Sequence, residues 1–513
     1  MGFAFVIDNR RCIGCHACST ACKAENSVPL GVNRTWVKYV EKGAFPHVRR
    51  FFQVTRCNHC ANPPCVPICP TAAMFQRPDG IVEFDGALCI GCKACLQACP
   101  YDAIYIDPES HTAAKCHYCA HRTDVGLEPA CVIVCPVHAI IAGDMDDPKS
   151  EVARLLATER VAVRKPEQNT KPKLFYIEAE ESSLLPTLAA QGTGYLWGDL
   201  PQGGDWRGPI EIAQGRMAGA LTRSAAPRET YNVPHRVPWH WQVPAYLVTK
   251  AVGCGMLLIA AAGLALGLFP PVALFTWVPA IAALVLLAVT SGLLVWDLDR
   301  PERFWTMLVR PQWRSWLVRG AWILIAVSAI AAAMAAGYLL GRPGLARALL
   351  LPAIVFSALG AVYTAFLFAQ AQGRDLWQSP LLPWHMLVQS VMAGSAGLLL
   401  AGLFFPAAAA AHRVLVLTFS ASALVALLMT VAGEFGVPHA SLVAEAAARL
   451  VTRGRYAPHY ATSLGLGLLL PVILVLVART SSAALALSAT LALAGLFLYE
   501  WAYVMAPQQV PNN

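Results

Sequence analysis

Sixteen of the seventeen cysteines fall in four groups of four within the first 135 residues, and long apolar runs follow. The groups are Cys12, Cys15, Cys18, Cys22; Cys57, Cys60, Cys65, Cys69; Cys89, Cys92, Cys95, Cys99; and Cys116, Cys119, Cys131, Cys135. The third group has the spacing C-x2-C-x2-C-x3-C-P. Three thiolates two residues apart wrap a corner of an iron–sulfur cubane, and the fourth reaches the neighbouring cluster. The first group shares this spacing, with Lys23 in place of proline, while groups two and four each stretch one gap. Pro70, Pro100 and Pro136 follow fourth cysteines and withhold a backbone donor there. Sixteen ligands at four per cubane predict four [4Fe–4S] clusters and no three-iron centre.

Two other uses of cysteine compete. A disulfide framework suits a small secreted chain. Here the start, Met1-Gly2-Phe3-Ala4-Phe5, runs straight into the first group and reads without a secretory signal. Structural zinc prefers two Cys pairs across a long spacer, and group four alone has that pattern. The regular spacing of the other three favours clusters.

Composition changes sharply near residue 240. Residues 1–180 read as an α+β, double-ferredoxin-like iron–sulfur domain, with groups one and three, and two and four, as repeated halves. It is too small to bury a large apolar core, so the clusters are expected to hold it together. Two β-like stretches, 51–54 and 81–84, flank the groups. Residues 181–238 are Gly/Pro-rich and read as an extended connector. Residues 239–513 read as an all-α polytopic membrane domain with eight transmembrane helices, near 244–268, 272–296, 315–340, 346–370, 382–405, 411–433, 461–479 and 482–504. The break between the last two is short and predicts an antiparallel hairpin. Segment 438–452 reads as an amphipathic interfacial helix.

The motifs CNHCANPPC at 57–65, KCHYCAHR at 115–122 and GLEPAC at 126–131 resemble the four-cluster iron–sulfur subunits of the polysulfide, dimethyl sulfoxide, nitrite and formate oxidoreductase families. The second half, through WHWQVPAY at 239–246 and DLDRPERF at 297–304, is similar to the NrfD/polysulfide-reductase-type quinone anchor. In most such relatives the halves are separate chains; here they are fused. The resemblance also implies that groups one and four exchange fourth ligands, as do two and three. The sets would be Cys12, Cys15, Cys18, Cys135; Cys116, Cys119, Cys131, Cys22; Cys57, Cys60, Cys65, Cys99; and Cys89, Cys92, Cys95, Cys69. Spacing supports exchange without saying which groups pair.

An even number of helices puts both ends of the membrane half beside the head, together with the junctions 297–314, 371–383 and 434–460. Most of its polar chemistry sits there, and ionisable residues inside membrane helices are costly and usually functional. A quinone needs a hydrogen-bond donor at its carbonyl and a group that passes protons. His240, Tyr246, Lys250, Asp297, Arg303, His385 and Glu434 are the candidates. Competing readings are a snorkelling Lys250, an Asp297–Arg303 ion pair closing its loop, and an interfacial anchor at His385. Cys254 reads as a small packing residue. Hydroxyls such as Ser328, Thr364 and Ser420 are expected in the distal halves, with almost no carboxylates, so protons are expected to exchange with the head side. No histidine falls near a helix midpoint, so no haem is expected, and a quinone, menaquinone or ubiquinone, would react directly with a cluster.

Ten basic residues flank the spans on the head side against four, Arg342, Arg347, Arg413 and Arg479, on the other. The positive-inside rule then puts the head in the cytoplasm of a prokaryote, on its inner membrane. The resemblance implies an electron-transfer and anchor subunit, with substrate chemistry on a molybdopterin-type partner holding a bis-pterin molybdenum or tungsten centre. A cytochrome-linked complex (alternative complex III-like) and a non-redox scaffold are the rival readings. Membrane lipid and quinone are expected partners, nucleic acid is not, and a dimer of complexes is compatible with this reading.

Overall fold

The structure, a computed structural model, describes residues 2–44, 46–190, 226–235, 237–477 and 481–513. In the head, Phe3–Asp8 pairs parallel with Leu174–Ile177 and antiparallel with Ile140–Asp144, and Val161–Ala162 edges the sheet. Ala4, Phe5, Val6 and Ile7 are all buried, as the continuous apolar run of a two-sided central strand requires. A long hairpin, Thr35–Ala44 with His47–Arg56, forms the second sheet and contains the stretch 51–54. Two short hairpins complete the strands, one of them joining Met74–Gln76 to Val82–Phe84.

The repeat is visible in the backbone. Gly14 and His16 in group one turn through φ of 70° and 60°, and Gly91 and Lys93 in group three through 69° and 60°. A Cβ on Gly91 would lie 2.7 Å from the Asp299 Cβ, so this turn also lets a membrane-side loop approach the head closely.

Both ends of segment 181–238 form regular elements. Glu181–Leu184 forms one helical turn, and Arg228–Tyr231 adds a third strand beside Thr35–Ala44. Its Gly-rich middle, with 202–205, lies outside the described residues, as do Arg236 and Arg479 of the basic-residue comparison and most of the break between the last two helices.

Among the described residues, eight helices are long and apolar enough to cross a membrane: Gln242–Ala265, Trp277–Trp296, Trp316–Leu339, Leu350–Gln370, Leu382–Ala401, Ala409–Glu434, Ala457–Val477 and Ser482–Gln509. The first packs against the second, fourth, fifth and eighth, and is the bundle's axis. Small residues allow this. A Cβ on Gly394 would overlap the Gly255 carbonyl carbon, and one on Gly495 the Gly467 Cα. Cys254 is fully buried with its sulfur against Gly360. The sixth and seventh helices widen into π-helical turns at Met429–Glu434 and Ser463–Leu469. Segment 438–452 is helical from Leu442, with Ala444, Ala447, Ala448 and Val451 buried and an exposed Glu445–Arg449 pair on its outer face.

The apolar core does not stop at the head. It runs from Phe5 and Ile7 past the cysteines to Trp239, Val243, Phe368 and Trp377 in the bundle. The small head therefore shares a core with the membrane half, which its length alone does not reveal. Trp239, Trp377 and Phe368 stack in series, with centroids 5.6 and 4.6 Å apart. Beyond the eighth helix the chain tucks between the halves. There Arg164 and Lys165 bond Asn512, and the Asn512 amide donates to Asp102 at 2.7 Å.

Candidate metal centres and interface cavity

The cysteines of the head line four separate small cavities. Cys69, Cys89, Cys92 and Cys95 line the first, and Cys22, Cys116, Cys119 and Cys131 the second. Cys12, Cys15, Cys18 and Cys135 line the third, and Cys57, Cys60, Cys65 and Cys99 the fourth. Every cavity takes its fourth cysteine from another group.

Three features fit these cavities to iron–sulfur cubanes. Tetrahedral zinc draws four sulfurs to about 2.3 Å from one point, yet among the described residues no three Cys, His, Asp or Glu side chains converge closely enough for a single ion. Backbone amides already donate to sulfur: Gly91 and Ala113 to Cys89, each at 3.4 Å, and Ala139 to Cys135 at 3.2 Å. Burial pushes the thiols of Cys22 and Cys60 up to about 12, so thiolates here require the counter-charge of bound metal.

The cavities form a line. Cys131 lies within electrostatic reach of Cys18, Cys116 of Cys57, and Cys95 of Cys65. Cys15 is exposed at one end, beside Ile13, which is 56% exposed. The cavity of Cys89, Cys92 and Cys95 lies at the other end, against the bundle.

That end is clamped. Arg303 donates to the carbonyls of Gly86, Ala87 and Cys89 at 2.9, 3.1 and 3.1 Å. Trp239 Nε1 donates to the Cys92 carbonyl at 3.1 Å, and Ser315 to the Ile68 carbonyl at 2.7 Å. Lys93 donates to the Asp297 carbonyl at 2.7 Å and pairs with the Asp299 carboxylate at 3.3 Å. Beside this clamp a cavity of about 540 Å³ opens between the halves. Lys93 and Asp102 line it from the head, with His235, His240, Asp297 and Arg374 opposite. His235 Nδ1 lies 3.1 Å from Asp102 and Arg374 lies 3.4 Å from it. Burial alone would raise the Asp102 carboxyl, but Arg374 and His235 hold it well below the usual range.

A second polar group lies within the bundle. The Lys250 ammonium is buried, donating to Thr364 Oγ1 at 2.6 Å and the Ala361 carbonyl at 3.1 Å, with the Tyr363 ring 4.6 Å away. Tyr246 lies beside Thr364 and within electrostatic reach of Asp297 and Glu500. Glu500 faces Lys250 and Gln389, and its Oε2 has no hydrogen-bond partner among the described residues. Further along, Tyr499 and Thr430 flank the His385 ring at 3.4 and 3.2 Å. Tyr503 and Ser379 donate to Glu434 at 3.4 and 2.9 Å. Asp297, Tyr246, Thr364, Lys250, Glu500, Tyr499, Tyr503 and Glu434 thus mark a polar track across the head-side part of the bundle.

Comparison with known proteins gives the arrangement its family. A model described as a 4Fe-4S dicluster domain matches residues 48–145, and one described as polysulphide reductase, NrfD, matches residues 229–512. The chain belongs to the NrfD polysulphide reductase family. Its head is 45% identical to a tetrathionate reductase subunit of Salmonella typhimurium, covering 39% of this chain and 80% of that protein. It is 43% identical to a polysulfide reductase chain of Wolinella succinogenes (34% and 93% covered) and 42% identical to protein NrfC of Escherichia coli (34% and 80%). The molecule is therefore an iron–sulfur electron-transfer domain fused to an NrfD-type, multi-pass membrane anchor.

Within this NrfD-family chain the seven candidate quinone residues separate. His240 and Asp297 line the interface cavity; Tyr246, Lys250, His385 and Glu434 lie in or beside the polar track. Arg303 clamps the head and does not pair with Asp297. His385 is buried while its neighbour Trp384 is 65% exposed, so the tryptophan is the surface residue of that turn. Thr364, expected in a distal half, sits instead in the head-side half of the fourth helix as a Lys250 partner. Tyr499, Tyr503 and His235 escaped notice because each is an ordinary residue in sequence and gains a partner only from another helix. The π-turn ending at Glu434 had no sequence signal either, although such turns gather at functional sites.

Proposed function

We propose that this chain relays electrons between a catalytic partner and membrane quinone through four [4Fe–4S] clusters, one in each cysteine-lined cavity. A bound cubane supplies one-electron chemistry. The thiolates hold it, and the line of cavities sets the order of transfer: the Cys12 cavity, the Cys22 cavity, the Cys57 cavity, then the Cys69 cavity. The quinone ring, of menaquinone or ubiquinone, occupies the interface cavity. One observation carries this reading: Lys93 lines both that cavity and the Cys69, Cys89, Cys92, Cys95 cavity, so a single residue separates the last cluster from the ring.

Quinol oxidation releases two protons with two electrons. Asp297 and His240 stand in the cavity to take the protons, and Tyr246, Thr364 and Lys250 lead from Asp297 into the polar track. No haem is needed along this route. The exposed, apolar rim around Cys15 is where a molybdopterin-type partner would dock, in keeping with relatives named as reductase subunits. The head-side excess of basic residues supports a cytoplasmic head on a prokaryotic inner membrane.

The test uses the purified protein in detergent with its clusters oxidised. Added quinol should reduce the clusters in the wild type, while Asp297→Asn and His240→Ala should slow this at least tenfold and leave reduction by dithionite unchanged. Equal quinol rates in all three proteins would reject the interface cavity as the site.

A further inference from the structure

Arg56 ends the strand His47–Arg56 and is fully buried. Its Nη1 lies 3.0 Å from Cys131 Sγ, and its guanidinium sits over the Phe5 ring at 4.5 Å. The side chain lines the cavity of Cys22, Cys116, Cys119 and Cys131. Its Nε and Nη2 have no hydrogen-bond partner among the described residues. Two buried guanidinium donors left unpaired would bear their full desolvation cost, so the site calls for an acceptor beside them. The group best suited is the anionic, sulfide-bearing cubane itself.

Among the described residues, none of the other three cysteine-lined cavities is built this way. Among the described residues no Lys or Arg lines the cavities of Cys12 or Cys57. Lys93 lines the Cys69 cavity, but Asp297 and Asp299 engage its charge. Arg34, the other cation at the Cys22 cavity, spends its donors on Tyr105 and Asn26. Arg56 alone combines full burial, a sulfur contact and open donors, and no carboxylate pairs with it among the described residues.

We propose that Arg56 is a positioning and tuning residue for the second cluster of the relay, donating to its sulfides and raising its reduction potential above those of its neighbours. The physical reason is charge. Reduction adds one negative charge to the cluster, and a fixed cation in low dielectric stabilises the reduced form more than the oxidised one. The second position then becomes the place where a single electron rests. This rests on the four-cluster reading, and the tests involve neither quinone nor a catalytic partner.

Two measurements decide it. In wild-type protein labelled with 15N-arginine, pulsed electron paramagnetic resonance should show a guanidinium nitrogen coupled to one reduced cluster. In a redox titration of all the clusters, Arg56→Gln should move one midpoint downward. At fixed poise its reduced-to-oxidised ratio should fall about tenfold, or about 59 mV for one electron. Arg56→Lys, which keeps the charge, should recover most of that shift. An unlabelled-like spectrum, or four midpoints unmoved in Arg56→Gln, overturns the proposal. If Arg56→Gln fails to hold iron, the labelled wild type and Arg56→Lys still decide. A protein with no reducible clusters at all would instead refute the reading of the head.

Discussion

In the head, sixteen thiols reach four cavities through turns built into the chain itself, at Gly14, His16, Gly91 and Lys93. In the bundle, Lys250, Glu500 and Glu434 sit singly on three helices. They share one polar track because small residues let the helices close, as at Gly255–Gly394 and Gly467–Gly495. One interior is organised by bound metal and local spacing, the other by packing at a distance. The head should therefore depend on its ligands far more than the bundle does.

The widest separation of the two comes from stripping iron. Structural metal sites contribute about 10 kcal/mol or more to small domains. Chelation under reducing conditions should make the head protease-sensitive, starting in its cysteine loops, while the helical circular dichroism of the bundle persists. Because the core is continuous through Trp239 and Phe368, some loosening should extend to the head-side helix ends. Simultaneous loss of the bundle would mean that the shared core, and not the packing of the helices, holds the membrane half.

Lys250→Ala comes next. It leaves Glu500 without its facing cation and Thr364 without its donor, and a buried polar group left unsatisfied costs about 1–3 kcal/mol. Thermal melting should show that loss. Quinol-driven cluster reduction should fall about a hundredfold, in the range for loss of a proton-transfer group. Pairing the change with Glu500→Gln should restore most of the stability but not the rate. Recovery of both would make the pair structural only.

These experiments track how much was readable beforehand. Cysteine spacing carries the metal chemistry because three of the four cysteines in each cavity come from one short stretch of chain. Apolar run length carries the eight helices because hydrocarbon thickness sets a minimum. Lys250 stood out as a charge inside an apolar run. Its partners did not, since Thr364 lies 114 residues away and looks like any helix hydroxyl. Arg303 was legible as important and illegible in role, because its acceptors are backbone carbonyls of the head, which carry no residue signature. His235 and Asp102 meet across the cavity from segments 133 positions apart, so only the fold joins them.

The smallest expected effect is a pH dependence at the junction of the two regions. Asp297 lies just past the second helix, outside its membrane span, and burial pushes its carboxyl up to about 6 against the pull of Lys93. The folded value exceeds the ordinary 3.8, so the docked protein binds this proton more tightly than the undocked one. Stability should therefore rise as pH falls from about 6 toward 4, and decline as pH rises through that window. The shift sets a ceiling of about 3 kcal/mol, and about 1–2 kcal/mol is expected with Lys93 adjusting. The neighbouring pair does not mask this. Asp102 is held low, so its contribution is lost only at pH values below the ordinary carboxylate range. His235, which burial would lower, is held above its usual value by Asp102, so its contribution fades only above this window. Asp297→Asn should flatten the slope of melting temperature between pH 4 and 6 relative to wild type. An unchanged slope would place the proton-sensitive contact elsewhere on the interface and remove Asp297 from the link between head and bundle.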